Sequence, residues 1–263
     1  MFRWLALLAL IVACDASAAE EIVTLATRSG VTQSYLLSVP ASGNPLAVAV
    51  LFAGSGGRVD LAQEKERKHL DRGNFLVRSR RLFAQAGIVA AVMDAPSDYP
   101  AGMEDEFRLG AAHAADVEKV VADLGSRFPG FAVFLVGTSR GTVSAANAGA
   151  RLRHNVNGVV LTATVFRAGK RLGWPGLSDF DLGSIRAPLL LVHHVDDECG
   201  VTPYAAARAL AERYPLISVS GGLPPQSGPC QAMSSHGFLG REAETVREIV
   251  NWMLGRPFRK TIE

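Results

Sequence analysis

The chain has almost no excess of charge of either sign: 27 Lys and Arg stand against 25 Asp and Glu, a formal net charge of +2 over 263 residues. It also lacks a basic block with interleaved aromatics, the feature that attracts phosphates and stacks bases, so nucleic acid is not an expected partner. Internal repeats, low-complexity tracts and linkers are absent too, which argues against a second domain. With 48% hydrophobic and 20% charged residues, residues 20–263 read as a single domain able to bury one sizeable core.

Long apolar runs are also missing. The N-terminal "MFRWLALLALIVACDASAAEE" has one arginine, then an apolar core from Leu5 to Ala13, then small residues. That order is the order of a secretory signal peptide, and the core is too short to span a bilayer comfortably. Residues 1–19 are therefore expected to be a leader, and the mature protein to be exported, periplasmic or secreted. Two exits compete: Ala-x-Ala spacing at Ala16 and Ala18, or Ser17 and Ala19, suits ordinary cleavage. Alternatively "IVAC" resembles a relaxed bacterial lipobox, in which case Cys14 is lipidated and Asp15 resembles an inner-membrane retention signal. Membrane attachment is expected only on the second route.

Cysteine is scarce, with three in all. Either exit consumes Cys14 and leaves Cys199 and Cys230, an even pair in a chain bound for an oxidising compartment. A disulfide between them is expected. It would close a loop of about 30 residues, worth about 3 to 4 kcal/mol by chain entropy.

What is present is a regular alternation. "EIVTLATR" and "QSYLLSVP" alternate apolar and polar residues around Ser29-Gly30, an antiparallel strand pair. Continuous apolar runs follow, "LAVAVLFAG", "GIVAAVMD", "FAVFLVG", "GVVLTATV" and "PLLLVHH", with a shorter "PLISVSGG". Such runs are typical of strands buried on both faces. Helical patterns separate them: "LVRSRRLFAQAG", the long "EFRLGAAHAADVEKVVADLGSRF", the alanine-rich stretch after Gly141, "TPYAAARALAERY" and "REAETVREIVNWML". The expected fold class is α/β, a mostly parallel sheet of about eight strands with helices on both faces.

In such sheets functional groups collect beyond the carboxyl ends of the strands. "VGTSRGTVSAA" delivers Gly137-Thr138-Ser139-Arg140-Gly141 there. A Gly-x-Ser-x-Gly turn between buried strand and helix bends sharply and holds the serine hydroxyl at the tip of the sheet. A serine hydroxyl needs a base, and the base needs an orienting acid. "PLLLVHH" runs into "VDDEC", which offers Asp196 and Asp197, and "GGLPPQSGPCQAMSSHGFLG" carries His236 before the final helix.

Ser139, acid, His236 is the chain order of α/β-hydrolases, and the sequence resembles that family over essentially its whole mature length. The resemblance implies a serine hydrolase of the carboxylesterase kind, acting on a small-molecule ester without metal or organic cofactor. In family members the strand before the acid often ends His-Gly-x-x-Asp; with His193 as that histidine, His194 replaces the glycine and the acid falls on Asp197, with Asp196 as the fallback. The resemblance also implies two backbone N–H donors for the oxyanion, from Arg140 and from the glycine-rich "FAGSGG" after the third strand. Ser55 takes that second position, with Gly56 as the alternative. A Cys199–Cys230 bridge would pin the acid loop to the histidine loop. The family's usual lid position holds only "FRAGKRLGWPGLSDFDLGSIRAP", short and polar apart from Trp174, and the other candidate flap, Arg58 to Phe75, is charged. Short or polar esters are expected rather than triglycerides. An acyltransferase or peptidase would use the same triad, and a non-catalytic binding protein could use the same scaffold. Nothing in the sequence sets an oligomeric state.

Other features point to structure rather than chemistry. "HHVDDEC" holds four possible metal ligands, His193, His194, Asp197 and Cys199, but neighbours on one strand end point in different directions, so no metal site is expected. "GSGG" lacks the Gly-Lys-Ser/Thr of a phosphate loop. His113 is expected at a helix surface or packed edge, and His69 and His154 have no partner. Arg140 opposes the macrodipole at a helix N-terminus; Asp94 or Asp98 is its expected partner, ahead of a carboxylate on the substrate.

Overall fold

The computed structural model describes residues 19–61, 70, 73–153, 155–170 and 173–263. The leader with Cys14, and His69 and His154, lie outside the described residues. Among the described residues nine strands form one sheet, in the order β1-β2-β4-β3-β5-β6-β7-β8-β9. They are β1 (Ala19–Arg28), β2 (Val31–Val39), β3 (Ala47–Phe52), β4 (Ile88–Met93), β5 (Val133–Thr138), β6 (Gly158–Thr162), β7 (Leu189–His194), β8 (Leu216–Val219) and β9 (Thr261–Ile262). The β1–β2 and β2–β4 pairs are antiparallel and the remaining pairs parallel.

The apolar runs become β3 to β7 because each is covered on both faces, and every residue of these five strands is buried. Strand alternation sorts their side chains into two cores. Val48, Val50, Leu135 and Leu191 meet Val117, Leu124 and Val143 on one face; Ala49, Leu51, Val136 and Leu190 meet Phe75, Phe83, Val246 and Ile249 on the other. The covering helices are α3 (Ala111–Arg127) and α4 (Gly141–Leu152) on the first face, α1 (Phe75–Gln85) and α6 (Glu242–Met253) on the second. Two short helices, α2 (Asp105–Leu109) and α5 (Tyr204–Ala209), lie between.

In its secondary structure and burial the fold departs from the sequence reading in four places. The long pattern from Glu106 to Phe128 is two helices, because Gly110 is extended (φ −73°, ψ 158°) between α2 and α3. The break is stabilised by Asn147, whose Nδ2 donates to the carbonyls of Arg108 (2.8 Å) and Gly110 (3.0 Å). The pattern at 202–214 supports only the six residues of α5. His113 is not at a surface: it is 1% exposed, and burial with the nearby charges of Arg108 and Arg28 pushes its pKa down to about 3, so it is a neutral core side chain.

The fourth difference is the ninth strand, too short to carry a pattern. It is held by Glu248 of α6, whose carboxylate accepts from Arg259 N (3.1 Å), Arg259 Nε (3.0 Å), Asn251 Nδ2 (3.1 Å) and Arg247 Nε (3.2 Å). Burial works to raise the Glu248 pKa, but these donors outweigh it and hold it at about 2, below the ordinary 4.5. A depressed carboxyl stabilises the fold fully above its unfolded value and loses that contribution as pH falls through 4.5 toward 2. Glu248→Gln is therefore expected to lower stability by about 2 kcal/mol at pH 7. The gap from the native protein should close toward pH 2, measured by urea unfolding across the pH range.

Candidate functional site

The turn from β5 into α4 is dictated by sterics. A Cβ on Gly137 would lie 2.3 Å from Gly141 O, and one on Gly141 would lie 2.0 Å from Phe52 O at the end of β3. Only glycine fits either place, and between them Ser139 is forced to a left-handed φ of 51°. That conformation costs a non-glycine residue about 1 to 2 kcal/mol. It is held by Ser139 N donating to Thr162 O (3.0 Å) and by Thr142, whose Oγ1 donates to Ser139 O (2.6 Å).

The loop after β3 comes up against this serine. A Cβ on Gly54 would stand 2.9 Å from Ser139 Cβ, so glycine there permits the approach. Ser55 follows with φ 54°. Among the described residues the backbone N–H groups of Ser55, Gly56 and Arg140 donate to no protein acceptor. All three remain free to donate to a bound molecule.

Beyond β7 the two adjacent aspartates separate. Asp197 has a fully buried side chain, whereas that of Asp196 is 71% exposed. Asp197 Oδ2 accepts from His236 Nδ1 (3.0 Å) and from Thr202 Oγ1 (2.8 Å), while its Oδ1 accepts from Cys199 N (3.0 Å). His236 is buried in a single 3-10 turn, Ser235–Gly237. With Nδ1–H donated to the carboxylate, the lone pair lies on Nε2, which is buried and has no hydrogen-bond partner among the described residues.

Ser139 and His236 line one cavity of about 360 Å³, with an apolar floor of Val59, Leu70, Phe75 and Val77. No hydrogen bond joins Ser139 Oγ to His236 Nε2. A second cavity of about 310 Å³ opens on the other side of Ser139, lined by Arg140, Lys170, Trp174 and the cysteine pair. Along the described part of the β6–β7 connection the regular structure is one 3-10 turn, Leu182–Ser184. No helix lies over the serine from there.

Cys199 and Cys230 form a disulfide. Because Cys199 N–H is a ligand of Asp197 and Cys230 lies six residues before His236, the bridge ties the acid loop to the histidine loop. Reduction, or Cys230→Ser, is expected to cost about 3 kcal/mol of stability. It should also lower any activity that depends on the Asp197–His236 pair; thermal unfolding with and without reductant measures the first effect.

Arg140 pairs with neither Asp94 nor Asp98: its guanidinium forms an ion pair with the buried Asp105 and lies 3.7 Å from the centroid of the Trp174 ring. Asp94 instead accepts from the N–H groups of Val59 (2.7 Å) and Leu61 (2.9 Å), and Asp98 pairs with Arg28. His193 is fully buried, accepts from Thr164 N (2.7 Å), and burial drives its pKa down to about 3. His194 takes the glycine's place because its ring bridges Gly221 O (2.9 Å) and Asp196 N (3.1 Å). Two residues at the site have no sequence signature. Thr202 bridges the acid and the histidine, with Oγ1 also 3.2 Å from His236 Nδ1. Arg78 donates to Gly237 O (2.6 Å) while paired with Glu242 (2.9 Å), bracing the histidine turn from α1.

No family profile matches the sequence, and no curated protein matches it. Solved structures do. Est1E from Butyrivibrio proteoclasticus superposes with a TM-score of 0.60 at 16% identity, covering 89% of this chain and 99% of that one. An α/β serine hydrolase without a lid from Xanthomonas campestris gives 0.60 at 17%, covering 90% and 97%. The esterase domain of a Rhodothermus marinus protein gives 0.58 at 19%, covering 90% and 99%. Matches spanning nearly the whole of each partner, together with the strand order and the steric turn at Ser139, identify the chain as having the α/β-hydrolase fold.

Proposed function

We propose that the protein is a serine hydrolase that cleaves carboxylic esters through an acyl-enzyme, with Ser139 as nucleophile, His236 as base and Asp197 as the acid that orients it. The observation that carries this reading is the buried His236, with Nδ1 tied to a buried carboxylate and an unpartnered Nε2 in the same cavity as a serine held at positive φ. Ser139 Oγ attacks the ester carbonyl carbon as its proton passes to His236 Nε2, and the imidazolium is stabilised by Asp197. The developing oxyanion is received by the N–H groups of Arg140 and Ser55, with Gly56 beside them. Collapse returns the proton to the departing alcohol; water then repeats the sequence on the acyl-enzyme and releases the acid. The Ser139–His236 hydrogen bond forms when substrate closes the site, as such contacts are often loose in free enzymes.

The named esterases and hydrolases among the structural neighbours support the same chemistry. Two cavities of about 360 and 310 Å³, with no helix over the serine from the described part of the β6–β7 connection, favour short or polar esters. The signal-like N-terminus and the disulfide favour work outside the cytoplasm.

The test is fluorophosphonate labelling of the purified mature protein, with mass spectrometry to locate the adduct and an ester panel alongside. A label on Ser139 with ester turnover is expected. A label with amide cleavage or acyl transfer, but no ester hydrolysis, would move the reading to a peptidase or acyltransferase. No label on folded protein would leave a binding protein on a hydrolase scaffold.

A further inference from the structure

Helix α2 is only five residues long, yet two of its side chains reach the two segments that carry the free N–H groups around Ser139. Arg108 is fully buried, and among the described residues no carboxylate forms an ion pair with it. Its hydrogen bonds end on neutral oxygens: Nη1 donates to Ser144 Oγ (2.7 Å), Nη2 to Ser55 O (3.0 Å) and, more weakly, to Ala53 O (3.5 Å). Burial pushes its pKa down to about 10, with Asp105 opposing that shift and Arg140 adding to it, so the guanidinium stays charged at neutral pH. A buried cation bonded only to neutral groups is costly, and an apolar side chain of similar volume would cost the fold less. Its presence there asks for a role.

The loop is shaped around this cation. Gly57 has φ 73°, and a Cβ there would lie 2.6 Å from Arg108 Nη2. From the other side, Gly56 O accepts from Met103 N (2.7 Å), and a Cβ on Gly56 would lie 3.1 Å from Gly102 Cα. In a trans peptide the C=O and N–H point in opposite directions. Drawing the Ser55 carbonyl onto the guanidinium therefore turns the Gly56 N–H away from it, and the Ala53 and Ser55 carbonyls together bracket the Ser55 N–H. One turn earlier on α2, Asp105 holds the Arg140 side chain and accepts from Gly176 N (2.8 Å).

We infer that Arg108 is a positioning residue for the oxyanion loop: it holds the 53–57 turn in the arrangement that presents its free N–H groups to the carbonyl attacked by Ser139, and places a desolvated positive charge behind them. The inference rests on the hydrolase reading. It assigns to Arg108 an effect on the transition state and little on ground-state binding.

The experiment compares native protein with Arg108→Met, Arg108→Lys and Glu248→Gln, reading kcat and KM on 4-nitrophenyl acetate per active site titrated with fluorophosphonate. The inhibition constant of phenylboronic acid, which forms a tetrahedral anionic adduct on an activated serine, is measured in parallel. Loss of one oxyanion donor typically costs ~100- to 1,000-fold in kcat. Arg108→Met, which misplaces donors without deleting one, is expected to lose about 30- to 100-fold in kcat with KM within about threefold, and to weaken boronate binding by a similar factor. Arg108→Lys should recover part of the loss. Glu248→Gln, which weakens the fold at β9 and whose contacts are to Arg247, Asn251 and Arg259 rather than to the 53–57 turn, should stay within about threefold of native kcat. Equal losses in Glu248→Gln and Arg108→Met, or native kcat in folded Arg108→Met, would overturn the inference. If Arg108→Met does not fold, Arg108→Lys carries the test: kcat about 10-fold down at unchanged KM supports it, and a native kcat overturns it. A native protein that takes no label and turns over no ester would instead defeat the hydrolase reading itself, so the two failures are distinct.

Discussion

Replacing Ser139 by alanine is expected to lower kcat/KM for a 4-nitrophenyl ester by about 10⁴- to 10⁶-fold and to abolish fluorophosphonate labelling. The expectation follows from the covalent route: without Oγ there is no acyl-enzyme, and what remains is binding and the oxyanion donors acting on water. The loss should appear in kcat with KM little changed, because the hydroxyl binds nothing strongly in the ground state. Stability supplies a control that separates chemistry from folding. At φ 51° alanine bears the same strain as serine, so Ser139→Ala should unfold at nearly the native temperature. Glycine carries no such strain, so Ser139→Gly should be equally inactive yet more stable by about 1 kcal/mol. A Ser139→Ala protein retaining more than a few per cent of native kcat would refute the nucleophile assignment.

The second large effect separates the two aspartates. Asp197→Asn is expected to lower kcat by about 10⁴-fold, because an amide facing Nδ1 favours the wrong imidazole tautomer and leaves no carboxylate to stabilise the imidazolium. Asp196→Asn should leave kcat within about twofold: its side chain is 71% exposed, and its carboxylate lies 4.0 Å from the His194 ring nitrogen, beyond hydrogen-bond range. Asp197 also binds Thr202 Oγ1 and Cys199 N–H, so part of the Asp197→Asn effect will appear as lost stability. The comparison is therefore made on kcat per titrated serine. Similar activities in the two variants would remove Asp197 from the proposed triad.

Much of the architecture was legible in the sequence. The apolar runs identified strands because a strand buried on both faces must be apolar throughout. Gly137 and Gly141 identified the turn at Ser139 because backbone atoms of β3 and α4 leave no room for a Cβ there. Failures fell where local pattern is weak. Gly110 splits a continuous helical pattern through a break whose carbonyls are taken up by Asn147, 37 residues away from Gly110. Strand β9 has two residues, too few for any periodicity, and exists because Glu248 gathers donors from the segment leading into it.

At the site, residue types and chain order were readable, and pairings were not. Chain order places an acid and a histidine after the serine, and cysteine arithmetic couples Cys199 to Cys230; these depend only on what is present and in which sequence. Which of two adjacent aspartates turns inward depends on the path of the loop after β7. Arg140 pairs with Asp105 rather than Asp94 or Asp98 because α2 lies alongside the start of α4. Thr202, Arg78 and Arg108 carry no motif, since each acts through a contact with a backbone or side-chain atom supplied by another element. The layers, the glycine-flanked turn and the inventory of reactive groups are written in the order and periodicity of the residues, which act over a few positions, whereas the fit of Gly141 against Phe52 O is tertiary. Only the tertiary structure decided the partners, because a hydrogen bond between distant segments depends on where several loops bring their ends together.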